Sequence, residues 1–179
     1  MSYRKNFFTH TQSTIDKISE VDKKITELNE IRGRYSDAFF NEEMKKLKDE
    51  RYGLLRESEN AARQIVDSIK ARNHEKFRMK PEELTDDARL LQSGINFTAE
   101  ELEEMLDRYN GNRTMERIVM DHADGKKMLL NRSPMTENGA NEIADTMMNY
   151  FNSAVSRPQY PEWKDQAYFD GFTADLGDV

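Results

Sequence analysis

The chain has 179 residues, of which 34% are charged and 36% hydrophobic, and its formal net charge is −7. Cysteine is absent, which excludes disulfides and thiolate chemistry. No apolar run approaches the roughly 18 residues of a transmembrane helix, and no apolar stretch follows the basic N-terminus as in a secretory signal. We therefore expect a protein that works in a cytoplasm. The acidic balance also disfavours nonspecific binding to nucleic acid, which depends on clustered Lys and Arg.

The longest helical periodicity lies in residues 14–72. Apolar residues recur every three or four positions from Ile15 to Ile31, and a second stripe follows from Phe40 to Ile69. This is the spacing of one helical face, and Gly33 between the stripes suits the end of a helix. The pattern predicts an all-α protein whose residues 1–79 form a long antiparallel helical hairpin. We expect its core or self-association stripe to contain Ile18, Val21, Ile25, Leu28, Met44, Leu47, Leu54, Ile65 and Ile69.

A second interpretation of the same stripes is one continuous helix in an intermolecular coiled coil. Gly33 alone would cost such a helix only about 1 kcal/mol. Arg51 and Ser58 interrupt the apolar seam, which disfavours a long and strict dimeric coil. The hairpin is the favoured prediction, and homo-oligomer formation stays open.

The helix-capping signals in residues 80–156 predict a small domain of short helices. Thr98 and Glu101 have the spacing of a capping box, Asn112 can cap the next helix, and Thr85 can cap an earlier one. Ser133-Pro134 is a typical helix start, and we expect the last helix to reach about Ser156. The candidates for the small core of this domain are Ile95, Phe97, Leu102, Leu106, Met115, Ile118 and Val119.

Residues 157–179 mix aromatic and acidic residues, and Pro158 and Pro161 oppose a helix at their start. We expect an irregular tail with one of two roles. Its aromatic residues pack on the chain's own helices, or they dock on a protein partner with Trp163 and Phe169 as anchors, since aromatic residues dominate binding hot spots. The candidate partner-binding residues are Tyr160, Trp163, Tyr168, Phe169 and Phe172.

Motifs for catalysis are missing from the sequence. The histidines His10, His74 and His122 do not pair at metal-ligand spacing, and no phosphate-binding glycine loop or nucleophile motif is present. The sequence therefore predicts no enzyme, no metal, no cofactor and no small-molecule substrate. An alternative is a nucleic-acid-associated protein that uses the helix at 112–124 or the basic run at 45–51, but both segments carry mixed charge.

Two segments carry a resemblance to known proteins. Residues 87–102 are Asp-Ala-Arg-Leu-Leu-Gln-Ser-Gly-Ile-Asn-Phe-Thr-Ala-Glu-Glu-Leu, and residues 108–117 are Arg-Tyr-Asn-Gly-Asn-Arg-Thr-Met-Glu-Arg. They resemble a segment of small helical proteins of tailed bacteriophages and prophages of Gram-positive bacteria, encoded near head-assembly genes. The resemblance implies a scaffold-like or capsid-associated protein. Its partner would be a capsid or other virion protein, met in the host cytoplasm during assembly or within the virion.

Overall fold

The structure is a computed structural model that describes residues 3–173. Seven α-helices and three short 3-10 helices form this part of the chain, and no strand occurs in it. The all-α prediction is therefore confirmed. The α-helices are α1 (Tyr3–Glu30), α2 (Asp37–Phe77), α3 (Asp86–Gln92), α4 (Ala99–Arg108), α5 (Arg113–Gly125), α6 (Glu137–Ser156) and α7 (Gln166–Phe172). The 3-10 helices are Arg32–Arg34, Pro81–Glu83 and Pro161–Lys164.

Helices α1 and α2 form the predicted antiparallel hairpin. His10 Nε2 lies 2.8 Å from the carbonyl oxygen of Ser58, while Asp22 pairs with Arg51 further along α1. As residue numbers rise along α1, the numbers of the contacted residues on α2 fall, and this order occurs only when the two helices are antiparallel. The alternative of one continuous helix is wrong, because the chain turns through the 3-10 helix that contains Gly33.

The chain divides into two compact units, formed by Met1–Lys70 with Asn141–Val179 and by Ala71–Ala140. This division differs from the predicted segments 1–79, 80–156 and 157–179. Most of α6 and the chain after it belong with the hairpin, because their apolar side chains are buried against it. The predicted boundaries lie next to Pro81 and Pro158, where helices are interrupted locally, and such local breaks do not report on long-range packing.

The first unit is held by one aromatic-rich core, which we call the base core. Its members come from α1, α2, α6 and the C-terminal segment. Phe7 stacks on Phe169 at a centroid distance of 6.2 Å, and the hydroxyl of Tyr150 donates to the Trp163 carbonyl oxygen at 2.7 Å. The buried members are Phe7, Ile15, Ile18, Ala62, Val66, Ile69, Ala144, Met147, Tyr150, Phe151, Ala154, Val155, Trp163 and Phe169.

Trp163 and Phe169 are buried in the base core, so their rings pack on the chain's own helices, which is the first of the two roles expected for the tail. The tail is also more regular than predicted. Pro161 starts a 3-10 helix, and Asp165 caps α7 by accepting from the Ala167 amide. Ion pairs from Arg4 to Asp170 and from Lys164 to Asp16 fasten this segment to α1.

The second unit packs α3, α4 and α5 around a smaller core. Leu102, Leu106, Met115 and Val119 are buried as predicted, and Phe97 and Ile118 pack against them. Ile95 is exposed, so its assignment to this core is wrong: it precedes the cap of α4, and the buried positions before that helix are Ala88 and Leu91.

Local capping signals are mostly confirmed. Thr98 and Glu101 form the complete capping box of α4, and the Asn112 side chain accepts from the Met115 amide. Thr85 stands at the start of α3 without capping it, because its hydroxyl donates to the hydroxyl of Tyr109. Helix α6 begins at Glu137 rather than at Ser133-Pro134. At this observed start, the hydroxyl oxygen of Thr136 accepts from the Gly139 amide at 3.1 Å.

A substitution of Phe169 by Ala tests the base core. Removing a fully buried ring leaves a cavity, so we expect a loss of about 3–5 kcal/mol in the free energy of unfolding. Urea unfolding followed by the fluorescence of Trp163, the single tryptophan, measures it. The exposed Tyr160, replaced by Ala, is the control and should change stability by less than about 0.5 kcal/mol. Equal effects of the two substitutions would contradict the described packing.

A substitution of Gly53 by Ala tests the continuity of α2. A Cβ at this helical position meets nothing within 4 Å, so we expect stabilisation of about 1 kcal/mol. Gly94 is the matched control: its surroundings are equally open, but its φ of +80° disfavours a side chain. Gly94→Ala should therefore destabilise by about 1–2 kcal/mol. Thermal unfolding of both variants checks the opposite signs, and a stability loss in Gly53→Ala would refute an unbroken helix.

Candidate interaction surface

The distal part of the hairpin differs from its base in burial. We call residues 22–61 the arm; they lie between Val21, the last buried residue of α1, and Ala62 of α2. Phe40 is the single buried residue of the arm. Two helices alone expose both sides of the seam between them, whereas α6 and the tail add further layers at the base. The arm is thus a two-helix structure whose apolar stripe is half covered.

One face of α2 continues from the base core onto the arm. Counting from Val66 towards the N-terminus, Ala62, Glu59, Leu55, Tyr52 and Lys48 follow at alternating steps of four and three residues, so all share one side of the helix. At the base this side meets α6, since Lys70 pairs with Asp145 at 2.6 Å.

The structure buries this side at Val66 and Ala62, half-buries it at Glu59 and Leu55, and exposes it at Tyr52 and Lys48. We call the side chains of Lys48, Tyr52, Leu55 and Glu59 the open face. Tyr52 is 69% exposed and is the most exposed aromatic side chain among the described residues. Leu55 is half-buried at the edge of the base core. Aromatic residues are enriched at protein interfaces and Lys and Glu are depleted there, so Tyr52 is the residue of this face best suited to a protein contact.

The tip of the arm carries a second aromatic group. The rings of Tyr35 and Phe39 contact each other at a centroid distance of 4.8 Å, and both are exposed. Phe40, by contrast, is buried, and the Arg32 guanidinium lies over its ring at 5.0 Å. The tip therefore presents two adjacent rings to solvent.

The arm is nearly electroneutral. It holds nine of the basic and ten of the acidic residues, a net charge of −1, while the whole chain carries −7. Ion pairs across the seam join Asp22 to Arg51 at 2.6 Å and Lys24 to Glu50 at 3.6 Å. Hydrogen bonds to Glu43 and then to Glu42 raise the pKa of Lys46. Most of the negative charge of the protein thus lies outside the arm.

The predicted self-association stripe is divided by the structure. Ile18, Val21 and Ile69 are buried at the base, which removes them from a surface role. The arm members are only half-buried and line the seam: Ile25, Leu28, Met44, Leu47 and Leu54, with Ile65 beside the base core. The predicted stripe contains Leu54 and not its neighbour Leu55, so it does not include the open face. The alternating spacing of four and three residues from Val66 to Tyr52 is the sequence feature that indicates this side of the helix.

Of the predicted tail contacts, Tyr160 and Tyr168 remain partly exposed. Tyr168 packs edge-on to the ring of Trp163 at 5.4 Å, so it belongs to the rim of the base core. The side chain of Phe172 lies outside the part of the chain that the structure describes.

The predicted nucleic-acid segments are occupied by internal pairs. Arg113 of α5 donates to Glu116, a buried carboxylate, at 2.7 Å and lies over the ring of Phe77. Arg117 pairs with Asp121 on the same helix. In the basic run at 45–51, Lys46 and Arg51 also have acidic partners. These pairs reduce the positive charge that either segment offers to phosphates.

The second unit contains a cavity of about 350 Å³ between α2, α5 and the chain before α6. Phe77, Met120 and Pro134 supply its apolar wall, and Arg113 and Asp121 are among its polar residues. Between residues 3 and 173, no group of three or more His, Asp or Glu side chains is placed to hold a metal ion. No helix in that range is long and apolar enough to cross a membrane.

Comparisons of the chain with protein families, with curated proteins and with solved structures found no match.

Proposed function

We propose that this protein is a non-enzymatic assembly protein of a tailed bacteriophage or prophage, either scaffold-like or capsid-associated. Its partner would be a capsid or other virion protein, which it meets in the host cytoplasm. The observation that carries the proposal is the arm: a pair of helices with one buried residue, a half-covered apolar seam and exposed rings at the tip. Such a surface offers binding energy to another protein and no arrangement of groups for a reaction.

The resemblance of residues 87–102 and 108–117 to small phage proteins supports the same role. These residues build α3, α4 and the start of α5, whose apolar side chains form the core of the second unit. The resemblance therefore concerns a structural segment, in keeping with a protein that acts through surfaces. Exposed apolar side chains lie on the second unit as well as on the arm. The arm is the proposed contact because its tip holds two exposed rings that touch each other, Tyr35 and Phe39.

The nucleic-acid alternative has weaker support. The arginines of α5 are paired with Glu116 and Asp121, and affinity for phosphates depends on unpaired and clustered positive charge. A protein partner remains the better proposal for both units.

Co-expression tests the proposed role. The full chain would be produced together with the major capsid protein of the same phage or prophage. Sedimentation and negative-stain electron microscopy would then compare the shells with those from capsid protein alone. We expect the chain to sediment with the capsid protein and to raise the fraction of closed, uniform shells.

The tip supplies the informative variant. Tyr35→Ala with Phe39→Ala removes two exposed rings without touching a core, so we expect loss of co-sedimentation with unchanged helix content by circular dichroism. Leu129→Ala, at a 95% exposed position of the second unit, is the matched control and should behave as the unaltered chain does. Shell assembly that is identical with and without the unaltered chain, together with no co-sedimentation, would refute the proposed function.

A further inference from the structure

We infer that the cavity of the second unit binds the side chain of an arginine from a protein partner. The cavity has a volume of about 350 Å³, and its lining residues all lie within Ala71–Ala140. The inference rests on the proposed function in taking the partner to be a protein. It adds a contact site outside the arm and the chemistry of the residue that this site accepts.

The wall of the cavity suits the aliphatic part of a long side chain. Phe77, Met120 and Pro134 supply apolar surface, and Met135 adds a second thioether. Methionine side chains are flexible and adapt to the shape of a partner group. A volume of about 350 Å³ is at the lower end of the range for ligand sites, so it suits one side chain better than a folded segment. The basic side chains of proteins have such an apolar stem below a charged head.

The charges of the lining favour a cation over an anion. Two basic and four acidic side chains line the cavity, a net charge of −2: Arg113, Arg117, Glu116, Asp121, Asp124 and Glu137. Both arginines already have acidic partners on α5. Arg113 donates to the buried Glu116 at 2.7 Å, and Arg117 lies 3.8 Å from Asp121. An anion would therefore have to compete with these carboxylates.

One carboxylate of the lining is left for a ligand. Glu116 and Asp121 face the arginines, and Glu137 lies 3.1 Å from Nδ1 of His74. Asp124 is exposed, and its carboxylate has no side-chain partner among residues 3–173. A single free carboxylate beside an apolar wall matches one positive charge at the end of an apolar stem, as in an arginine or lysine side chain. Arg is enriched at protein interfaces and Lys is depleted there, so arginine is the better match.

Helix ends add to the negative potential of the cavity. Helix α2 ends at Phe77, and Asp124 belongs to the last turn of α5. The C-terminal end of a helix carries the negative end of its dipole, which favours cations. Helix α6 begins at the cavity with the opposite polarity, but its first residue is Glu137, whose carboxylate offsets the positive end.

The experiment titrates the full chain with a blocked tripeptide, acetyl-Gly-Arg-Gly-amide. Nuclear magnetic resonance of isotope-labelled methyl groups follows the ten methionines, and substitutions by Leu assign the signals of Met120 and Met135. We expect these two signals to shift and to saturate, with half-saturation in the millimolar range, because so small a ligand offers few contacts. The peptide with Glu in place of Arg is the matched control and should not give a saturable shift.

Two charge reversals separate the site from general electrostatics. Asp124→Lys and Glu104→Lys change the net charge of the chain equally, but Glu104 is an exposed residue of α4 outside the lining. We expect Asp124→Lys to raise the Kd of the Arg peptide by at least about fivefold, and Glu104→Lys to change it by less than about twofold. A lysine suits the last turn of a helix, so the fold of Asp124→Lys should be retained, which circular dichroism checks.

Four results would overturn the inference. The first is the absence of a saturable shift at Met120 and Met135. The second is equal or tighter binding of the Glu peptide, which would make the cavity an anion site. The third is equal weakening by both charge reversals, since the peptide would then respond only to overall charge. The fourth is tighter binding of the free diamine putrescine, which would assign the cavity to a small amine.

The titration is also separate from the test of the proposed function. It contains no capsid protein, and its readout does not depend on the rings at the tip of the arm. A failure here would leave co-sedimentation with the capsid protein untouched, so the two failures are distinguishable.

Discussion

The first unit depends on one geometric constraint: a pair of helices cannot bury the apolar residues on both sides of its seam. At the base, α6 and the C-terminal segment supply the missing layers, and the core there is fully closed around Phe7, Tyr150 and Phe169. Between Val21 on α1 and Ala62 on α2, by contrast, Phe40 is the single buried residue. The same helices that are buried at the base are therefore half-exposed in the arm, and this change in burial separates the structural part of the unit from its candidate surface.

The constraint also explains why the C-terminal aromatic residues are not free to bind a partner. Burial of a Trp or Phe side chain contributes about 1.5–3 kcal/mol or more to folding, and the base core offers the tail a ready apolar surface. The tail is fixed further by Arg4, which pairs with Asp170, and by Gln12, which donates to the carbonyl oxygen of Trp163. Composition alone does not distinguish an aromatic segment that completes a core from one that awaits a partner, since both need the same side chains.

The sequence predicted what is decided locally. The hairpin follows from two long stripes and a break near Gly33, and the capping box at Thr98 was recognisable because all its groups lie within four residues. The misses have non-local causes. The Thr85 hydroxyl donates a hydrogen bond to the hydroxyl of Tyr109, which lies 24 positions away. The tail packs on α1, and the division into units depends on burial between segments that are distant in sequence. The open face was hidden for another reason: Leu54 and Leu55 belong to two stripes, and only the position of α6 shows which side stays uncovered.

The character of the arm limits how strongly it can associate. A surface that remains stable when uncovered must keep its apolar residues few and mixed with charge, and the open face does so with Lys48 and Glu59 beside Tyr52 and Leu55. The hydroxyl of Tyr52 can hydrogen-bond to water while the side chain is exposed, and its ring can bury apolar area against another protein. A contact built in this way forms and separates more readily than an obligate interface, whose core is more apolar. The arm carries a net charge of −1 against −6 for the remainder, so long-range repulsion of another acidic protein is weaker at the arm than elsewhere on the chain.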